Sequence, residues 1–471
     1  MSNKILLTLK NYDGIINCIM PYCRFILFGR IIVSIFRLRG VHLNHCKNTA
    51  KSAPKRISVP KTVIIPMSMH IGAPARPCVK VGEDVKVGQL IGETAQGLSS
   101  PIYSGVSGKV KKIDEIILSN GAHVQTVIIE SDGLQTVSES VVPPVVTNRE
   151  EFLDAIGKSG IVGLGGAGFP TLVKLAADVS KIDTIVINGA ECEPYITSDT
   201  RTMIDDAELV AEGIEMLMKY LEVKRTVIGI EKNKPECILS MQKATSGIDG
   251  VQVKPLPAIF PQGGEKVLVY HSVGRVIEEG KLPVDCGVIV INCTTVACIA
   301  RYMHTGMPLV EKCITVDGSA IAEPQNIIVP IGTSAMDVAN ACGGFREPPR
   351  KIMYGGPMMG IALPDMSSPV IKQTNAILFF GRKEATPPKV TPCIKCGRCT
   401  NSCPFGLSPT EISKAYKAGD GATLEKLKVN LCMECGCCSY VCPAKRNIVQ
   451  RNKLAKTMLR NYQNSKKGEA K

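Results

Sequence analysis

Tryptophan is absent from this 471-residue chain, and other aromatics are scarce, with 10 Phe and 11 Tyr. Its cores must therefore be built from Val, Ile, Leu and Ala, while 43 Gly and 30 Pro call for many turns. No uncharged apolar run reaches the roughly 18 residues that cross a bilayer. The nearest, residues 15–36, is interrupted by Pro21, Arg24 and Arg30; it reads as an interfacial amphipathic segment or as an unstructured N-terminus. No zinc finger, helix-turn-helix or basic-aromatic module accompanies the formal charge of +14, so nucleic acid is not expected as a partner. Much of that charge lies at residues 47–61 and 445–471, either as solvated tails or as contacts to an anionic membrane or an acidic partner. No cleavable secretory signal is evident, so the 20 cysteines point to metal ligation in a reducing compartment rather than to disulfides.

A chain this long holds about three domains by length, and its patterning divides it further into a multidomain α/β protein. A poorly defined N-terminal segment, residues 1–50, precedes short β-type runs punctuated by Gly and Pro at 51–140. There VKVGEDVKVGQLIGE and SPIYSGVSGKVKKID resemble the barrel-sandwich hybrid of biotinyl and lipoyl carriers. The intervening TAQGLSS, residues 94–100, has no lysine to carry a prosthetic group, so this is a structural module. A Pro-Pro linker at 136–148 leads to Asn148, which with Glu151 forms a capping-box-like start for a helix over 149–157. Residues 149–309 then alternate predicted helices, at 171–179 and 204–220, with the continuous apolar runs DTIVING, RTVIGIE and GVIVINC, the pattern of a largely parallel sheet. Residues 310–365 read as a small β-grasp-like α+β module. KEATPPKVTP, residues 383–392, is a linker that delivers a two-cluster ferredoxin domain at 388–450, and a basic tail follows at 451–471.

Nine of the cysteines fall between Cys393 and Cys442. Cys393, Cys396, Cys399 and Cys403 spell C-x2-C-x2-C-x3-C-P, and Cys432, Cys435, Cys438 and Cys442 repeat it 39 residues later. Three thiolates two residues apart let a tight loop cover three corners of a cubane, and the fourth cysteine of each run reaches the other cluster. The expected sets are Cys393, Cys396, Cys399 and Cys442 for one [4Fe–4S] cluster, and Cys432, Cys435, Cys438 and Cys403 for the second. Cys437 breaks the spacing and is not expected to be a ligand. Two structural zinc ions would leave the prolines after each run unexplained. Ser408, Pro409 and Glu411 predict a capped helix between the runs, hence an α-helical ferredoxin domain.

GLGGAGFPT, residues 163–171, contains a G-x-G-x-x-G subset in which Gly163, Gly165, Gly166 and Gly168 can bring backbone amides to a phosphate. A structural glycine turn is the competing reading. Pro170 suits a first helical turn, and Lys174, one turn further on, would stand near the phosphate mouth. DTIVING then runs into Ala190-Glu191-Cys192-Glu193-Pro194, so two carboxylates emerge at the carboxyl edge of a strand, where open α/β sheets bind ligands. The plainer alternative makes both of them loop acids facing solvent.

GLGGAGFPTLVK followed by VINGAECEP resembles the flavin-binding core of the NADH-oxidising subunit of respiratory complex I. Together with MHIGAPARPCVKVGEDVKVGQLIG, QGGEKVLV and the two cysteine runs, the chain resembles the C-subunit family of Rnf electron-transport complexes over about residues 41–452. That resemblance implies FMN cradled by Gly163, Gly165, Gly166, Gly168 and Lys174, with Asn188 and Gly264 beside it and Glu265 a further candidate. It implies that Glu191 and Glu193, the catalytic residues, border flavin and nicotinamide with no acid or base required of the protein, that NAD(H) docks over the flavin, and that electrons pass singly to the two clusters. INCTTVAC, around Asn292, matches only in part. FRLRGVH, residues 36–42, departs from a glycine-rich F-x-G-G-x-H stretch of the family. The implied role is a peripheral subunit of an ion-translocating NADH:ferredoxin oxidoreductase on the cytoplasmic side of the bacterial cell membrane, with integral-membrane Rnf subunits and ferredoxin as partners. Two alternatives stand beside it: the cobalamin reductase of propanediol-utilisation microcompartments, and a non-enzymatic electron-wire subunit.

Overall fold

The computed structural model describes residues 24–28, 31–35, 38–118 and 121–469. The side chains of the apolar stretch at 15–36 lie outside the described ones; of its backbone, Arg24–Phe28 and Ile31–Ile35 pair as antiparallel strands. From residue 38 the chain is packed. Val41 exchanges two backbone hydrogen bonds with Phe260 at 2.9 Å, and Thr49 is fully buried. Lys47 is not part of a solvated tail, for its ammonium lies under the carbonyls of Glu191, Glu193 and Ile196.

Two small sheets build the barrel-sandwich module. One is antiparallel, in the order Thr62–Pro66, His123–Ser131, Gly108–Ile117, Asp84–Val85; the other joins Arg76–Pro77, Leu90–Glu93 and Ile102–Tyr103. Alternate residues such as Val63, Ile65, Val127 and Ile129 face inward and are fully buried, as a half-covered strand requires.

Four parallel strands form the next sheet, in the order Val251–Leu256, Thr226–Glu231, Thr184–Asn188, Val288–Asn292. Three of them are the predicted apolar runs; VQVKPL is the fourth. Numbered by chain order the strands lie 3-2-1-4, so the order reverses between Thr184–Asn188 and Val288–Asn292. Their register sets Asn188 opposite Asn292 at the carboxyl edge, the crevice where such sheets take ligands. The helix Arg149–Lys158 starts as expected, with the Asn148 side chain accepting from the Glu151 amide at 3.0 Å. Two expected helices differ. The one after the glycine loop spans only Thr171–Leu175, with Pro170 at its N-cap, and is too short for a helix dipole to act at the loop. The one expected at 204–220 is divided into Ser198–Asp205 and Ala207–Tyr220. The break falls at Asp206, whose backbone leaves helical angles at φ −113° and ψ 26° and whose carboxylate pairs with Arg301 at 2.9 Å.

The α+β module is a six-stranded sheet that runs past residue 365. Ala376–Phe380 lies between Lys351–Tyr354 and Glu311–Asp317, and Lys55–Arg56 adds an edge strand next to Gln325–Pro330.

In the ferredoxin domain the 39-residue period holds for the backbone. The short helices Arg398–Asn401 and Cys437–Tyr440 correspond, as do the starts of Pro409–Lys417 and Ile448–Glu469. Lys395 and Glu434, one residue before the second cysteine of each run, are both left-handed, with φ of 56° and 61°. The Ser408 side chain makes no capping bond, and Glu411 pairs with Lys414 instead. The basic tail is not loose: Ile448–Glu469 is one helix whose Ala455 and Leu459 are buried against Ile412 and Leu424.

Candidate functional site

The glycine loop closes on itself, with the Gly163 amide donating to the Phe169 carbonyl at 2.8 Å and the Gly168 amide to the Gly163 carbonyl at 3.1 Å. The Leu164 amide donates to the Thr295 hydroxyl at 3.0 Å. The amides of Gly165, Gly166 and Ala167 donate to no acceptor among the described residues. A Cβ on Gly165 would lie 3.1 Å from the Asn292 side chain, so the loop passes this close to the strand end only because the residue is glycine.

A cavity of about 1090 Å³ opens at this loop. Residues 165–167, Asn188, Glu191, Glu193, Gly264, Glu265 and Asn292 line it on the flavin-domain side. Across from them stand Ser68, His70 and residues 116–118 of the barrel-sandwich module, with Tyr354 and residues 373–375 of the α+β module. Ligand pockets occupy about 300–1,000 Å³, so this cavity has the size of a cofactor site. Gly163, Gly168 and Lys174 stand behind this lining. The Lys174 ammonium donates to the Val290 carbonyl at 2.9 Å and to Glu265 at 3.3 Å, away from the loop mouth.

Both acidic candidates border the cavity, and the protein itself engages both. Glu191, 6% exposed, accepts from the Asp199 amide at 2.8 Å and the Thr200 hydroxyl at 2.7 Å, with Lys47 and Lys234 at 3.8 and 3.6 Å. Asp199 in turn accepts from the Asn292 amide at 2.8 Å and the Thr294 hydroxyl at 2.6 Å, and Asn292 caps the helix that carries Thr295. The acidic turn and the glycine loop are thus joined by one chain of hydrogen bonds. Glu193 instead reaches the α+β module, accepting from the amides of Met358 and Met359 at 3.1 and 2.7 Å. Burial pushes its carboxyl up to about 7, against the pull of those amides and of Lys47. Nothing in the sequence showed that His70 and residues 373–375, which come from other modules, would meet Asp199 and Asn292 at this cavity.

A second, smaller cavity lies in the ferredoxin domain, lined by Cys403 together with Cys432, Cys435 and Cys438. Cys399 packs with Cys442, while Cys393 and Cys396 are exposed. Among the described residues no three His, Cys, Asp or Glu side chains close round a single ion; the thiols of the second set ring a cavity instead. Burial, and then the neighbouring Cys432, Cys435 and Cys403, push the Cys438 thiol up to about 12, so four thiolates are held here only with positive charge among them. This donor set fits an iron–sulfur cluster. Cys437 lines the same cavity, and its thiol donates to the Phe260 carbonyl at 3.7 Å.

The two cavities adjoin. Cys435, Cys437, Val41 and Phe260 form one apolar cluster joined by Cys192, Met358 and Met433. A Cβ on Gly264, in the flavin-side wall, would lie 2.0 Å from Met433 Cε, and one on Gly436 would lie 2.8 Å from the Met358 carbonyl. No helix among the described residues is long and apolar enough to cross a membrane.

Four family descriptions match consecutive stretches: the RnfC barrel sandwich hybrid domain at 36–134, the Nuo51 FMN-binding domain at 156–301, the SLBB domain at 313–362 and the 4Fe-4S dicluster domain at 389–447. The chain is 41% identical over 381 residues to the C subunit of the proton-translocating ferredoxin:NAD(+) oxidoreductase complex of Clostridium ljungdahlii, covering 79% of this chain and 83% of that one. It is 42% identical to the C subunit of the Na(+)-translocating counterpart of Acetobacterium woodii, covering 80% and 86%. With the C subunit of the ion-translocating oxidoreductase complex of Rhodobacter capsulatus it shares 36% over 82% and 76%. In outline it is similar to a chain of an NAD+-reducing [NiFe]-hydrogenase, at TM-score 0.49 and 16% identity, and spans 64% of that chain.

Proposed function

This chain belongs to the C-subunit family of ion-translocating ferredoxin:NAD(+) oxidoreductase complexes, and from that premise we propose how its residues divide the work of an NADH-dependent flavin and iron–sulfur oxidoreductase. FMN held at the glycine loop supplies the exchange between the two-electron hydride of nicotinamide and single electrons. The free amides of residues 165–167 hold its phosphate, and Asn188, Gly264 and Glu265 border the rest of it. Gly163 and Gly168 close the loop, and Lys174 braces Glu265 and the strand end behind it. Glu191 positions rather than exchanges a proton, because its oxygens are committed to Asp199, Thr200 and the two lysines. Glu193 shapes the nicotinamide side of the cavity by holding the turn at Met358 and Met359.

Cys432, Cys435, Cys438 and Cys403 hold the cluster nearer the flavin; Cys393, Cys396, Cys399 and Cys442 hold the outer one. The contact of Met433 with Gly264 carries this reading, since it joins the loop of the inner ligands to the flavin-side wall with no intervening solvent. Exposure of Cys393 and Cys396 suits the outer cluster for exchange with a partner. That partner is another member of the complex, with ferredoxin as the redox partner of the whole. We place the chain as a peripheral subunit on the cytoplasmic side of the bacterial membrane, held there by integral-membrane subunits. Anaerobic reconstitution of the full chain followed by cofactor analysis tests the assignment. Retention of FMN together with both clusters is expected; a protein that keeps its iron but no flavin contradicts it.

A further inference from the structure

His70 is a buried polar group for which the flavin and cluster assignments have no use. It is 8% exposed and lines the large cavity, next to Ile71, whose amide donates to the Gly168 carbonyl of the glycine loop at 3.0 Å. Its surroundings decide its tautomer. The Ser100 amide points at Nε2 from 3.2 Å and has no other acceptor among the described residues. The Ala73 carbonyl, 3.0 Å from the same nitrogen, already accepts from the Ser99 hydroxyl at 3.1 Å. The tautomer that satisfies the Ser100 amide has the lone pair on Nε2 and the hydrogen on Nδ1. With the Nε2 edge turned to its own module, Nδ1–H is a buried donor without an acceptor.

A complementary orphan lies beside it. Gln373 also lines the cavity, and its Oε1 is a buried acceptor without a donor. A Cβ placed on Gly168 would meet both residues, at 3.4 Å from His70 Cα and 3.4 Å from the Gln373 amide carbon. Lys372 fixes the frame that holds them. Its ammonium is fully buried and donates to the Ser100 hydroxyl at 3.2 Å, the Pro101 carbonyl at 2.6 Å and the Gly160 carbonyl at 2.7 Å. One side chain thus ties the residue behind His70, the segment that enters the glycine loop, and the neighbour of Gln373. Burial, and then the charge of Lys372, push the His70 imidazole down to about 4, so it is a neutral donor at ordinary pH. Buried groups left unpaired in this way cost free energy, and orphans rigidly held at the wall of a cavity are explained by a ligand that pairs them.

We propose that His70 and Gln373 form a phosphate-and-hydroxyl recognition pair: Nδ1–H donates to a phosphate oxygen of the ligand seated on the amides of residues 165–167, and Oε1 accepts from a hydroxyl of its sugar chain. The pair rests on the flavin assignment, and it gives the barrel-sandwich module, whose 94–100 segment has no carrier lysine, a part in holding that ligand. The phosphate belongs either to FMN or to the pyrophosphate of NAD(H).

Titration of the full chain with FMN, riboflavin and NADH separates these sources. His70→Gln keeps an acceptor near the Ser100 amide but removes the donor at Nδ1; it is expected to weaken FMN, or else NADH, by about tenfold and to leave riboflavin unchanged. His70→Asn, which returns a donor near the Nδ1 position, is expected to restore most of that loss. Gln373→Leu, which leaves the imidazole in place, is expected to weaken the same ligand several-fold. FMN and NADH constants within about twofold of wild type in all three variants would overturn the proposal, as would an equal loss for riboflavin in His70→Gln, since riboflavin lacks the phosphate. Wild-type protein that binds neither FMN nor NADH contradicts the flavin assignment itself, and the pair falls with it.

Discussion

The Lys372 ammonium donates to the Gly160 carbonyl at 2.7 Å, three residues before the glycine loop. Because its other two hydrogens go to Ser100 and Pro101, the α+β strap, the barrel-sandwich module and the flavin domain meet at one nitrogen. Lys372→Met leaves the Pro101 carbonyl buried without a donor and the Gly160 carbonyl with only the Ser100 hydroxyl at 3.4 Å, at a cost of about 1–3 kcal/mol for an orphaned carbonyl. The variant is expected to melt several degrees below wild type and to lose flavin more readily. A melting curve that overlays the wild type contradicts this.

Glu193 makes the stability depend on pH in a definite direction. Its carboxyl titrates at about 7 in the folded chain against 4.5 unfolded. Between those values the unfolded chain releases the proton while the folded one keeps it, so stability falls as pH rises through the window. Glu193→Gln cannot titrate. Melting temperatures across pH 4.5–7 are therefore expected to fall for wild type relative to the variant, and parallel curves would refute the burial argument.

Cys403 lines the cavity of the second run rather than of its own. Cys403→Ser is thus expected to cost about half of the iron and to alter the magnetic signal of the cluster held by Cys432, Cys435 and Cys438. Iron analysis with low-temperature electron paramagnetic resonance reads this. Loss of the signal that depends on Cys393 and Cys396, with the other intact, would reverse the assignment.

Met433 touches the wall at Gly264. Met433→Ala removes that contact from the cluster side and leaves the flavin wall at Gly264 unaltered. Truncating one partly buried side chain is not expected to unfold the domain. Stopped-flow reduction is expected to show flavin bleaching at the wild-type rate and cluster reduction slowed; an unchanged second phase would place the inner cluster elsewhere.

Much of this was legible in the sequence because it is periodic or local. A 39-residue cysteine period dictates equal loops, and Lys395 and Glu434 adopt the same left-handed turn although one is basic and the other acidic. Continuous apolar runs fixed three of the four parallel strands. What was not legible depends on contacts distant in sequence. Lys372 reads as an ordinary surface lysine, and only the meeting of three modules buries it. Lys174 looked like a phosphate ligand by spacing, but the short helix after Pro170 directs it to Val290 and Glu265. Ser408 had the spacing of a cap, but its side chain makes no capping bond.

The central claim is that NADH delivers electrons to a flavin held at the glycine loop, which passes them to the adjoining clusters. Anaerobic addition of NADH to the reconstituted full chain, followed by absorbance, tests it most directly. Bleaching of the flavin band followed by loss of cluster absorbance is expected. Unchanged flavin absorbance in protein shown to contain FMN would contradict it.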